Sequence, residues 1–165
     1  MSTRLDYYTV APAGLKALYG LESYLRTSAL EPALLELVKL RASLINGCAY
    51  CVEVHTKDAR AKGETEERLF AVPVWRETPY FTERERIALA WTEAVTDIGR
   101  DGVGDALYAE AGALFGEKDL VDLTLAVIAI NAWNRLAIPF RRAVGVYTPA
   151  KVTARVQTVA AEAGR

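Results

Sequence analysis

Glu36-Leu37-Val38-Lys39-Leu40-Arg41-Ala42-Ser43-Leu44-Ile45-Asn46-Gly47-Cys48-Ala49-Tyr50-Cys51-Val52-Glu53-Val54-His55 is the stretch on which the reading of this chain turns. Its first half is helical by pattern. Leu37, Leu40 and Leu44 recur at three- and four-residue spacing, and Pro32 just upstream suits a helix start. Asn46-Gly47 is a turn signal. A further helix begins near Cys48 and is expected to stop before Gly63, a suitable C-cap. A fold-back at Asn46-Gly47 makes the two an antiparallel hairpin.

The same helical period extends along the chain in both directions, without strand-like alternation. Pro12 opens a helix carrying Leu15, Leu18, Tyr19 and Leu25. Glu64 to Val72 reads as a short helix, and residues 73–81, with Pro73 and Pro79, read as a loop. Thr82 and Glu85 form a capping box, after which Ile87, Trp91, Ala94 and Ile98 mark one apolar stripe. Gly99 to Gly104 breaks the pattern. Helices are then expected over Asp105–Phe115, Glu117–Ile138 and Pro149–Glu162. The expected fold class is all-α, helices packed on helices. Residues 1–165 are read as one domain, with a core over about 15–145 and a C-terminal helix over about 149–162. Shifted by 85 residues, Leu40, Ile45 and Asn46 match Leu125, Ile130 and Asn131, an echo on which nothing is rested.

Composition excludes several classes. Lys and Arg total 20 against 21 Asp and Glu, with no basic run dense enough for nucleic acid. Arg141-Arg142 reads as a solvated helix end. The first residues lack an apolar signal core. Leu120 to Ile138 is interrupted by Asp122, Asn131, Asn134 and Arg135, so it reads as a buried core helix rather than a membrane span. A cytoplasmic protein is expected, and in that compartment a C-x-x-C pair points to catalysis or metal binding rather than a permanent cross-link.

The chain has two cysteines and one histidine, all within eight consecutive residues. On a helix, positions 48, 51 and 55 fall within about 60° of one another, and 51 and 55 are an i,i+4 pair. Thiols in a first helical turn are exposed to unpaired N–H groups that stabilise thiolate, the nucleophilic form, and a nearby imidazole can accept the proton. Glu36 would lie about 18 Å from Cys48 on one continuous helix. After a fold-back it stands ten residues before the turn and His55 about eight after it, which sets the two nearly level and lets Glu36 orient His55 or pass protons to it. Competing readings are two core cysteines, or a zinc site built from Cys48, Cys51, His55 and Glu36, which lacks the second Cys or His pair that structural zinc sites draw from a separate segment. Asn131, Trp133 and Asn134 read equally well as cavity lining or as an interior polar cluster.

Glu36, the C-x-x-C at 48–51 and His55, continued by Thr56-Lys57-Asp58-Ala59-Arg60, resemble the alkyl hydroperoxidase D (AhpD-like) family of the carboxymuconolactone decarboxylase superfamily. Thr82 to Ala90 looks like that family's next helix, and Asn131 to Ala137 resembles a segment of its peroxidase-related branch. The resemblance implies an all-helical bundle with the C-x-x-C at a helix N-terminus, assembled as a homo-oligomer, often a trimer or hexamer. It implies a thiol-dependent peroxidase with no bound cofactor or metal. Cys51 would attack the hydroperoxide, Cys48 would resolve it to a disulfide, and His55 and Glu36 would relay protons. An external dithiol, a lipoyl group or a thioredoxin-like protein, would restore the thiols. One position departs from the pattern: Tyr50 stands where some members carry a second histidine. A slower peroxidase, or a disulfide as the true substrate, is the expected consequence. The alternatives carried forward are a general thiol–disulfide oxidoreductase and a non-catalytic, redox-sensing oligomeric scaffold.

Overall fold

The computed structural model describes residues 2–149. They fold into helices α1 (Tyr7–Val10), α2 (Pro12–Leu25), α3 (Pro32–Asn46), α4 (Ala49–Ala61), α5 (Glu66–Ala71), α6 (Glu83–Thr96) and α7 (Asp105–Phe140), with no strand among the described residues. The helix expected at 149–162 lies, past Pro149, outside them.

α3 is the central helix. It carries buried side chains on every side, from Leu34 to Ser43, and packs against α4, α6 and α7. Leu34, Leu35 and Val38 enter a cluster with Trp91, Leu123 and Val127. Leu37 and Leu40 face the other way, into a cluster with Leu69, Val72, Trp75, Phe81 and Leu89. A helix surrounded in this way must satisfy its polar residues internally. Lys39 Nζ does so on Glu22 Oε2 at 2.5 Å, and Ser43 Oγ donates to the Lys39 carbonyl at 2.7 Å.

α3 ends at Gly47, which is left-handed (φ 70°, ψ 31°). The Gly47 N–H donates to Leu44 O at 3.3 Å and the Cys48 N–H to Ser43 O at 3.0 Å, a Schellman closure that turns the chain straight into α4. Three asparagines and a serine hold this corner to α7. Asn46 Nδ2 donates to Asn131 Oδ1 at 2.9 Å and to Asn134 Oδ1 at 2.8 Å, and Asn134 Nδ2 donates to Ser43 Oγ at 3.2 Å. Asn46 and Asn131, matched in the weak sequence echo, therefore bond to each other.

Three local readings are corrected. Val72–Glu77 is a 3-10 segment rather than loop, with Pro73 in its first turn, where the missing N–H costs nothing. α6 stops at Thr96 with Asp97 as its C-cap, so Ile98 leaves the stripe and is 61% exposed. The two helices expected over 105–115 and 117–138 meet, as expected, at the non-helical Gly116 (φ 70°, ψ 173°), and the second extends to Phe140. Arg142 is no solvated end: its guanidinium lies 4.7 Å from the Tyr8 ring centre and 5.5 Å from that of Tyr50. The capping box is present as expected, with Thr82 N–H on Glu85 Oε2 at 2.8 Å and Glu85 N–H on Thr82 Oγ1 at 3.3 Å.

Candidate active site

Cys48 is at once the residue that closes α3 and the N-cap of α4. Its Sγ accepts the Cys51 N–H at 3.3 Å, so the helix start is capped by sulfur. Cys48 and Cys51 are joined as a disulfide, with Cα atoms 5.3 Å apart. Both are buried, packed with Ala42, Ile130 and Ala137 where α3, α4 and α7 meet. They differ in one respect. Cys51 lines a cavity of about 600 Å³, and Cys48 sits behind it, outside the lining.

The same cavity holds the polar residues expected from the hairpin geometry. Glu36, one turn into α3, and His55, on α4, come together: His55 Nδ1 lies 2.8 Å from Glu36 Oε2. The carboxylate accepts, so Nδ1 carries a proton in either charge state of the ring, and Nε2 is the nitrogen left to exchange one. Glu36 Oε1 pairs with Lys62, from the end of α4. Burial by itself would raise the Glu36 carboxyl. The His55 hydrogen bond and the charges of His55, Lys39 and Lys62 outweigh it and hold Glu36 down at about 2. Glu36 is therefore a fixed anion beside the imidazole.

Several residues of this site were missed in the sequence. Asp58, one turn beyond His55, accepts the Tyr147 hydroxyl at 2.7 Å. Tyr147 is brought there by the segment after α7, which is tied to α4 by the Gly145 N–H on Glu53 Oε2 (2.7 Å) and Lys57 Nζ on the Tyr147 carbonyl (2.9 Å). Burial, followed by the Asp58 hydrogen bond and charge, pushes the Tyr147 phenol well above its usual range. Glu22 of α2 accepts from both Lys39 and Trp133 Nε1, the latter at 3.2 Å. Burial would raise Glu22 too, and Lys39 reverses this, holding it below the usual carboxylate range. The Asn131-Trp133-Asn134 cluster divides: the asparagines brace the α3 corner, and Trp133 lines the cavity. Tyr50, in the position of the absent second histidine, has the Arg142 guanidinium 5.5 Å from its ring centre.

Glu36, His55 and Asp58 present ligand atoms within 4.8 Å of one another. A cation there would have to displace Lys62 from Glu36 and the Tyr147 hydroxyl from Asp58. The four-ligand set with both cysteines would further require the disulfide to open.

Residues 12–94 match the carboxymuconolactone decarboxylase family. The YdfG protein of Bacillus subtilis (strain 168) is 40% identical over 138 residues, 84% of this chain and 94% of YdfG. A crystal structure of an Agrobacterium tumefaciens protein of unknown function, for which an AhpD role in antioxidant defence has been suggested, is 42% identical. It superposes with a TM-score of 0.84 over 88% of this chain and 100% of its own. At 15% identity the debrominase Bmp8, solved with 2,3,4-tribromopyrrole, shares the fold (TM-score 0.75; 90% of this chain, 79% of that one). With its helical architecture and its cysteine pair at the start of α4, the chain belongs to the carboxymuconolactone decarboxylase family, as an AhpD-like member.

Proposed function

We propose that the protein is a thiol-dependent peroxidase that reduces hydroperoxides through a Cys48/Cys51 dithiol–disulfide cycle. The observation that carries this reading is that Cys51, and not Cys48, faces the cavity holding the Glu36–His55 pair. In the reduced enzyme, His55 Nε2 takes the Cys51 thiol proton, and Glu36 compensates the imidazolium. The thiolate attacks the distal oxygen of the hydroperoxide. The O–O bond breaks, an S–O bond forms, and the alkoxide leaves as the alcohol with the proton that His55 had taken. Cys51 is now a sulfenic acid. Cys48 sulfur attacks Cys51 sulfur, hydroxide leaves as water with the Cys48 proton, and the disulfide forms. An external dithiol then attacks Cys51. Cys48 departs as thiolate, stabilised by the Cys51 N–H at the N-cap, and the mixed disulfide is cleared by the second thiol of the reductant.

The reductant is proposed to be a lipoyl group or a thioredoxin-like protein, and the setting a reducing compartment, the cytoplasm, where such a pair is recycled. Among the described residues no helix is long and apolar enough to cross a membrane. Assembly as a homo-oligomer is proposed as well, supported by Val121 and Ile128, two turns apart on α7 and 57% and 48% exposed.

The test is hydroperoxide consumption with a dithiol, by wild type and by Cys51→Ser. The variant is expected to be inactive, and unchanged turnover would remove Cys51 from the role. A second reading, a general thiol–disulfide oxidoreductase, is favoured by the N-cap position of Cys48, which makes its sulfur a good leaving group in exchange. Comparing peroxide with a small disulfide as oxidant separates the two.

A further inference from the structure

One wall of the cavity is made of rings in contact with one another. The Trp133 ring of α7 lies 5.2 Å from that of Tyr19 on α2. Tyr19 lies 6.5 Å from Tyr8, and Tyr8 lies 4.7 Å from Tyr7, both on α1. All four line the cavity. The inner end of this array reaches the redox centre, because Trp133 packs against the cluster that contains Cys48 and Cys51. Its indole is held in orientation by the Nε1–H on Glu22. Ring faces and edges set at 4.5–7 Å accept a further ring in the same tilted geometry.

Most of the charged lining groups already have a partner. Glu22 is paired with Lys39, Glu36 with His55 and Lys62, and Asp58 with the Tyr147 hydroxyl. Arg26, the other charged lining residue, is exposed. A ring seated against Trp133 and Tyr19 leaves all of these contacts in place. About 600 Å³ is also far more than hydrogen peroxide needs, and is in the range of sites for organic ligands.

We infer that the cavity takes a substrate bearing an aromatic ring, seated on Trp133 and Tyr19 with its reactive group toward Cys51. The hydroperoxide identity of that group rests on the peroxidase reading; the aromatic part rests on the cavity. For cumene hydroperoxide the step is the one already written. The O–O bond breaks, Cys51 gains the distal oxygen, and 2-phenylpropan-2-ol leaves with the proton from His55.

The experiment compares kcat/KM for cumene, tert-butyl and hydrogen peroxides with dithiothreitol as reductant. Replacing a methyl by a phenyl group is expected to raise kcat/KM by at least about tenfold, mainly through KM. Trp133→Leu is expected to bring the cumene to tert-butyl ratio close to one, and Trp133→Phe to keep most of it. A merely structural role for Trp133 lowers both rates and leaves the ratio unchanged, which overturns the inference. Calorimetric titration of the oxidised protein with 2-phenylpropan-2-ol and with tert-butanol reads the same preference without turnover. Equal ratios, or equal binding of the two alcohols, also overturn it. If no hydroperoxide is consumed, the peroxidase reading falls by itself. The titration then decides alone: saturable binding of the aryl alcohol supports an aromatic site, and absence of binding refutes it.

Discussion

Replacing Glu36 by Gln removes the buried anion on which His55, Lys62 and Lys39 converge, and its effect on stability has a defined pH signature. The Glu36 carboxyl falls from 4.5 to about 2 on folding. A shift of this size corresponds to about 3 kcal/mol of stability when Glu36 is fully ionised. Because the folded-state value is depressed, that stability is present above pH 4.5 and is lost as pH falls toward 2. Between these limits the unfolded chain binds the proton and the folded protein does not. Between pH 5 and pH 3 the wild type should therefore lose about 2 kcal/mol more than Glu36→Gln, which cannot titrate at this position. Urea unfolding of both proteins, each with Cys48→Ser and Cys51→Ser to fix the redox state, measures the difference. Glu53, Glu93 and Asp122 are also held below the usual range, but they titrate in both proteins and cancel. Glu22 shares Lys39 and His55 as neighbours, so the pair is repeated with Glu22→Gln. Stability curves that run parallel within about 0.5 kcal/mol from pH 5 to pH 3 would refute the reasoning.

Cys48→Ser should still consume one equivalent of hydroperoxide and then stop, leaving a Cys51 sulfenic acid that dimedone labels and mass spectrometry detects. Gly47→Ala forces a Cβ into the left-handed turn between α3 and α4 and should cost about 1 kcal/mol in urea unfolding. A neutral result would show that the turn can relax. Asn134→Ala leaves Asn46 and Ser43 short of a partner at a site with no solvent exposure, and should cost about 1–3 kcal/mol in the same assay. Ile128→Glu should reduce the molar mass seen by light scattering if α7 forms the subunit contact, and an unchanged mass would move that contact elsewhere.

The hairpin at the centre of the molecule was legible because its signals are local. Helical spacing, a Pro start and Asn46-Gly47 together require α3, a turn and α4, and counting residues from the turn is enough to level Glu36 with His55. What remained hidden depends on distant chain. Tyr147 reaches Asp58 only because the segment after α7 returns across α4, and no spacing rule relates residues 89 positions apart. Lys39 belongs to a residue type that is almost always exposed. It is buried because α3 is enclosed on all sides, which its polar residues conceal in the sequence. Trp133, Asn131 and Asn134 are neighbours on one helix but face different partners, a division set by the position of α3 rather than by their own pattern. Arg142 was misread for the converse reason: basic residues usually end helices in water, and here two tyrosines cover it.

The placement of Cys48 behind Cys51 has a kinetic consequence. Only one sulfur faces the cavity, so on the proposed cycle the oxidant and the reductant must use the same doorway, one after the other. No ternary complex of peroxide, enzyme and dithiol then forms. Double-reciprocal plots should be parallel, and each reactant at high concentration should inhibit competitively against the other.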